Sequence, residues 1–201
     1  MQILLIRHGE SEADLLGVHE GRADFELTER GHRQAEAMAS YVAEHFSITG
    51  LYASPLKRAA QTAGQLSEKT GLPIRFASDL MEHNNGLLAG LSFDEADRRY
   101  PEIKDLPVEL SVYGQESDAE FRNRAVRAFN RILAENEPDS VVAVVSHGGM
   151  IHQLYGVFFH FPLGNRPFIC TADTGIHVWE IGKRGCYVRQ ANLHEHIKDI
   201  E

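Results

Sequence analysis

Hydrophobic positions alternate along the chain between short strand-like runs and longer stretches of helical period. Residues 2–6 (QILLI) and 141–145 (VVAVV) are continuous apolar runs, the pattern of strands buried on both faces. Residues 48–53 and 73–77 are weaker signals of the same kind. Between them, 28–46 places Ala35, Met38, Ala39, Val42 and Phe46 at helical spacing, with Thr28 as N-cap. Ser54-Pro55 reads as an N-cap followed by proline at the first helical position, opening a helix that stops at Gly71. Ser117-Asp118-Ala119-Glu120 has capping-box spacing and opens a helix with Phe121, Ala125, Phe129, Ile132 and Leu133 on one face. Residues 150–159 read as an apolar helix, and 175–181 with 186–191 as a hairpin around Gly182-Lys183-Arg184-Gly185. The stretch 84–115 is irregular, with a short helix at about 92–100.

Strands alternating with helices predict an α/β fold: a mainly parallel central sheet with helices on both faces, joined by right-handed crossovers. The expectation is one domain over 1–201, with 84–115 as an insertion over one edge of the sheet.

Composition narrows the partners. A net charge of −9 supplies no basic excess to displace counterions from phosphates, which argues against a nucleic-acid binder. A small anion remains compatible, because a few arginines make a local positive pocket on an acidic surface. The start MQILLIRHG has no cationic leader and too short an apolar run for a signal peptide or membrane span. Cys170 and Cys186 lie apart without CxxC spacing and read as buried or idle thiols. These features predict a cytoplasmic protein without membrane attachment, and leave the oligomeric state open.

Ligands of open α/β sheets sit beyond the carboxyl ends of the strands, so the residues following each predicted strand carry the chemistry. Arg7 and His8 follow the first and Lys57 and Arg58 the second. Glu82-His83 comes after the third, and His147 with two glycines after the fourth. Two arginines, two histidines and a carboxylate therefore gather at one sheet edge, where helix N-termini add affinity for anions. Arginines that fork onto phosphoryl oxygens, a neutral imidazole that attacks phosphorus and a carboxylic acid that protonates the leaving alkoxide are what phosphoryl transfer through histidine requires. No cofactor is called for. The spacings of His147/His152 and His194/His196 could suggest metal, but the first pair does not share a helix face, since His147 precedes the helix, and the second sits in a polar tail with no third ligand in view. GxGxxG and GxxxxGK[ST] are both absent, and Ser54 and Cys170 have no evident base.

The sequence resembles the histidine phosphatase, or phosphoglycerate-mutase-like, superfamily. The matching stretches are LLIRHGES (4–11), LTERGHRQA (27–35), YASPLKRAAQTA (52–63), LMEHNNGLLAG (80–90), VVSHGG (144–149) and, more loosely, GQESDAEFRNRA (114–125). They follow the family's order over most of the chain. The resemblance implies His8 as the phosphorylated nucleophile, Arg7 and Arg58 as phosphate clamps, and His147 as a second pocket histidine donating to a phosphoryl oxygen. Glu82 is implied as proton donor and acceptor, with Glu95, Glu116 or an acid of the early loop as alternatives. Ser11 and Gly21 fall in the phosphate-binding segment; Ser11 serves equally well as a cap hydroxyl.

Two departures bear on function. The family usually carries asparagine where this chain has Asp14; an ionised carboxylate there repels a dianion unless it is protonated, turns away or pairs with an arginine. The glycolytic mutases carry a tryptophan where this chain has Arg22, a long basic segment after the acid, and a longer tail. Arg22 either holds a second anionic group of the substrate or pairs with Glu20 or Asp24. The expectation is thus a metal-independent phosphatase acting on a small phosphorylated metabolite. The rivals are a mutase-type phosphotransferase and a non-catalytic phospho-ligand module.

Overall fold

The computed structural model describes residues 1–164 and 168–200. Strands β1 (Gln2–Arg7), β2 (Gly50–Ala53), β3 (Ile74–Phe76), β4 (Val141–Ser146), β5 (Ile176–Gly182) and β6 (Gly185–Leu193) form one sheet in the order β3-β2-β4-β1-β5-β6. The first four are mutually parallel. β5 joins β1 antiparallel and turns through Lys183-Arg184 into β6.

The apolar run of β1 has no polar alternation because both faces are covered. Ile3 and Leu5 point into a cluster with Phe121, Ala125 and Ile132 of α5 (Asp118–Glu135), Met150 and Leu154 of α6 (Gly148–Phe158), and Trp179. Leu4 and Ile6 point the other way, onto Met38 and Val42 of α2 (Glu29–His45) and Ala59, Ala63 and Leu66 of α3 (Lys57–Thr70). This is the period of two that a strand imposes, with a helical layer waiting on each side. The predicted caps of α2 and α5 are present: Thr28 accepts from the Gly31 N–H, and Ser117 and Glu120 exchange reciprocal bonds.

Three local expectations are corrected. Ser54 is not the N-cap of α3. The helix begins at Lys57 with Leu56 in the cap position, and Ser54 stays in the strand-end turn with its hydroxyl committed elsewhere. α6 starts at Gly148, two residues before the expected 150. A short helix, α1 (Glu12–Leu16), forms where no element was expected, and Gly17 closes it in the left-handed conformation. Apart from these three, the thiols of Cys170 and Cys186 are free and exposed, which excludes the buried one of the two readings given for them.

The irregular stretch at 84–115 contains the expected short helix, α4 (Phe93–Arg99). Its ends meet where the Glu116 N–H donates to the Asn84 carbonyl (3.0 Å). It is tied back to the loop after α1 by His19 N–H to Leu91 O (2.8 Å) and Gly90 N–H to His19 O (2.7 Å). Among the described residues, no helix is long and apolar enough to cross a membrane.

The turn after β1 owes its shape to close backbone contact with α2. A Cβ on Gly31 would lie 2.0 Å from the Glu10 carbonyl oxygen, and one on Gly9 would lie 2.6 Å from the Gly31 carbonyl oxygen. In an unobstructed helix, glycine to alanine stabilises by about 1 kcal/mol. Gly31→Ala is expected to reverse that sign and destabilise by about 1–3 kcal/mol in urea unfolding, through overpacking.

His177 of β5 has no exposed surface, and burial lowers its pKa to about 4. The Asn192 N–H (3.2 Å) and the Tyr155 hydroxyl (2.8 Å) both meet Nδ1, while Nε2 faces the Thr171 hydroxyl (2.9 Å). The unfolded chain binds this proton near pH 6.5 and the folded chain only near 4. Stability is therefore lost as pH falls through that window, by about 3 kcal/mol at most. His177→Gln should flatten that part of a stability-versus-pH curve measured by urea unfolding.

Candidate active site

β1, β2 and β4 end at the same edge of the sheet, and their next residues converge. His8 and His147 are 2% and 0% exposed, with ring centroids 5.1 Å apart. Arg58, in the first turn of α3, reaches His8 with no exposed surface.

Hydrogen bonding fixes the tautomer of His8. Its Nδ1 lies 2.8 Å from the Gly9 carbonyl oxygen, which only accepts, so Nδ1 carries the proton. Nε2 is then left with a lone pair facing the site, where the Arg58 Nε–H donates to it at 3.3 Å. Burial, and then the charges of Arg7 and Arg58, hold the ring well below the usual histidine pKa. His8 is a neutral imidazole with an available Nε2. The backbone around it is pinned as well: the His8 N–H donates to Ser146 O (3.0 Å), and the Gly9 N–H to the Thr62 hydroxyl (3.1 Å).

His147 is neutral for the same reasons, burial first and then Arg58. Its Nε2 lies 2.8 Å from the Ser54 hydroxyl, and its buried Nδ1 has no protein partner among the described residues. Arg58 donates through Nη1 to Ala23 O (3.1 Å) and through Nη2 to Gly21 O (2.8 Å). Its Nε lies 3.0 Å from Glu20 Oε2. Arg7 pairs with Asp173 at 3.0 Å and lies 3.6 Å from Asp14.

Asp14 therefore does not stand alone against an incoming anion. Its Oδ2 accepts from the Ser11 N–H (2.8 Å) and hydroxyl (3.0 Å), and its Oδ1 faces Arg7. Ser11 caps α1 while its hydroxyl also meets Glu20. Gly21 contributes its carbonyl to Arg58. Arg22 stands further out. Its partners are neither Glu20 nor Asp24 but Glu116 (3.5 Å) and the Glu82 carbonyl (3.4 Å).

Glu82 sits at the N-terminus of α6. Its Oε2 accepts from the Gly149 N–H (2.9 Å), its Oε1 accepts from the His83 N–H (2.8 Å), and its charge acts on Arg58. This seat requires glycine at 149, where a Cβ would lie 2.4 Å from Oε1. The segment carrying Glu82 is held by Arg124 of α5, a 5%-exposed guanidinium that donates to the carbonyls of Asp79 (3.0 Å), Met81 and Glu82 (3.0 Å). Glu116 pairs with it. Burial works against the Glu116 carboxylate, but Arg124, the Asn84 N–H and Arg22 together keep its pKa below the usual value.

Glu20, Ser54, Asp173 and Arg124 were not among the residues singled out for the site. Arg124 alone carried a visible sign: an arginine three residues beyond Phe121, on the apolar face of α5. The histidines weighed for metal binding are otherwise engaged. His152 accepts from the Ile169 N–H, His196 meets the Thr174 hydroxyl and His194 meets the Asn192 carbonyl. Among the described residues there is no cluster of three or more histidine, cysteine or acidic side chains placed for a metal ion. Lys57 lies outside the pocket, paired with Glu26 (2.8 Å).

The family model described as histidine phosphatase superfamily (branch 1) matches residues 3–194. Phosphoserine phosphatase 1 of Hydrogenobacter thermophilus is 31% identical over 160 residues, 77% of this chain and 74% of its own length. The uncharacterized phosphatase PhoE of Bacillus subtilis is 32% identical over 153 residues, 76% of this chain and 74% of its own. A solved mycobacterial glucosyl-3-phosphoglycerate phosphatase, in complex with VO3, superposes with a TM-score of 0.83 at 26% identity, covering 95% of this chain and 98% of that one.

Removing one partner of a buried ion pair leaves an uncompensated charge, at a cost of about 3–5 kcal/mol. Arg124→Met is expected to destabilise by that order in urea unfolding. Adding Glu116→Gln should restore part of the loss, and the restored part measures the pair itself.

Proposed function

The chain belongs to the histidine phosphatase superfamily, and from that premise we propose that it hydrolyses phosphoric monoesters of small metabolites through a phosphohistidine on His8. One observation carries the reading. His8 is neutral, its Nδ1 is occupied by the Gly9 carbonyl, and its Nε2 keeps its lone pair toward the site, where the Arg58 Nε–H meets it.

In the first half-reaction, Nε2 attacks phosphorus in line, and the N–P bond forms as the bond to the ester oxygen breaks. Arg58 and Arg7 bear on the phosphoryl oxygens, where the transition-state charge resides. His147, with Nε2 at Ser54, turns Nδ1 toward the same group. Glu82 delivers its proton to the departing alkoxide. In the second half, Glu82 takes a proton from water, the water oxygen attacks phosphorus, the N–P bond breaks and phosphate leaves with neutral His8 restored. The Gly9 carbonyl favours the positive charge that the ring carries while phosphorylated. Two guanidiniums supply the positive charge that a metal ion provides in other phosphoryl-transfer sites.

The segment 84–115, anchored at Asn84 and Glu116 beside the acid, covers the substrate in this reading. The acidic surface suits a small ester rather than nucleic acid, and two free thiols suit a cytoplasmic setting. Relatives named as phosphatases favour water over a second substrate hydroxyl as the acceptor.

Steady-state hydrolysis of p-nitrophenyl phosphate and a panel of phosphorylated metabolites tests this. His8→Ala should abolish turnover of every ester, and retained hydrolysis would remove the covalent route. Glu82→Gln should lower kcat/KM, which reports the first half-reaction, by about 10²–10⁴ for an alkyl ester, whose leaving group needs a proton. The kcat/KM for p-nitrophenyl phosphate should fall far less, although its kcat drops with the slowed second half, and equal losses of kcat/KM on both would take Glu82 out of the acid role.

A further inference from the structure

Glu20 occupies the position on Arg58 and His8 that a phosphoryl oxygen needs. Its Oε2 lies 3.0 Å from Arg58 Nε and 3.7 Å from His8 Nε2, and its Oε1 meets the Ser11 hydroxyl. The side chain is only 17% exposed, so it is seated in the pocket rather than resting at its rim.

The charges around it come from every neighbouring element. The turn after β1 and α1 supplies Ser11 and Asp14, β1 supplies Arg7, and the end of β1 supplies neutral His8. α3 supplies Arg58, α6 is preceded by neutral His147, and the loop before β5 supplies Asp173 behind Arg7. With Asp14, Glu20, Asp24, Glu82 and Asp173 each acting on one or both of two guanidiniums (Arg7 and Arg58), the pocket has no positive surplus for a dianion. Asp14 and Asp173 are held on Arg7. Glu20 is the one seated against the nucleophile.

We propose that Glu20 is an internal carboxylate that fills the phosphoryl-binding position and must be displaced or neutralised for a phosphorylated ligand to bind, so that it sets the pH range over which the site accepts its ligand.

Proton counting gives the direction. The Ser11 hydroxyl has one proton for two carboxyl oxygens, Asp14 Oδ2 and Glu20 Oε1. Uptake of a proton by Glu20 adds a donor to this cluster and removes the charge that competes for Arg58. Burial raises the Glu20 pKa, with Arg58 opposing it, so neutralisation comes at a higher pH than for an ordinary glutamate. Ligand binding should therefore strengthen as pH falls. The loop carrying Glu20 also continues from His19, which is tied by two backbone hydrogen bonds to the 84–115 segment. Displacement of Glu20 and movement of that segment are thus mechanically linked.

The proposal rests on the pocket being a phosphoryl site, and the test separates the two. Binding of inorganic phosphate is measured calorimetrically from about pH 5 to pH 8 for the wild type, Glu20→Gln and Glu20→Ala. The ligand's own ionisation is common to all three and cancels in the comparison. If the open site is populated only about a tenth of the time, apparent affinity is reduced about tenfold. Both variants should therefore bind about tenfold tighter than wild type near pH 8, and the advantage should shrink toward pH 5. Equal affinities with parallel pH profiles, or weaker binding in both variants, would overturn the role of Glu20 while leaving the phosphoryl site intact. Absence of phosphate binding in all three folded proteins at every pH would overturn both.

Discussion

Arg58 keeps a full positive charge with no exposed surface, and much of the surrounding structure exists to make that tolerable. A guanidinium stripped of water needs a partner for each donor. Here the partners are the carbonyls of Gly21 and Ala23, the Glu20 carboxylate and the lone pair of His8. The first three lie on the loop that follows α1, so burying Arg58 folds that loop over the sheet edge. The fourth is the proposed nucleophile. The same charge adds to burial, and to Arg7, in keeping His8 and His147 unprotonated. One buried cation thus positions the loop, meets the Nε2 that the Gly9 carbonyl leaves without a proton, and helps hold both histidines neutral.

The parallel strands make this placement possible. Because β1, β2 and β4 run the same way, Arg7-His8, Ser54 and His147 emerge together, and the helix that follows β2 brings Arg58 back against His8. On the far side, Arg124 performs a related task. Buried against three carbonyls and Glu116, it fixes the segment from Asp79 to Glu82 and seats the Glu82 carboxylate on the N-terminus of α6. Both buried arginines act mainly by ordering backbone, and the two loops they order carry the carboxylates nearest the chemistry.

Strand and helix spacing was legible wherever burial is symmetric and local. The run of β1 is apolar because helices cover both its faces, and the Ser117 box caps α5 through contacts within four residues. Arg7, His8, Arg58 and His147 were also legible, since each follows a strand or opens the next helix. Ser54 was misread because Ser-Pro is a good local cap signal, whereas the hydroxyl is drawn to His147, distant in sequence. α1 was missed because five residues show too little period. Glu20 was passed over for a sharper reason: a glutamate in an acidic loop reads as solvated, and only the three-dimensional approach of Arg58 pulls it inside. Asp14 drew attention as the unfamiliar carboxylate, yet it is paired with Arg7 and Ser11, and its neighbour Glu20 lies closer to the nucleophile.

The central claim is that His8 Nε2 carries the phosphoryl group during turnover, with Glu82 needed to remove it. Rapid acid-free quenching of the Glu82→Gln variant during turnover of p-nitrophenyl phosphate, followed by peptide mass spectrometry, examines that directly. The leaving group departs without a proton while the slowed second step lets the intermediate accumulate. The account predicts one phosphoryl group on the peptide bearing His8, stable to base and lost in acid. A burst of p-nitrophenolate with no phosphoryl group on that peptide, or with one on any other residue, would contradict it.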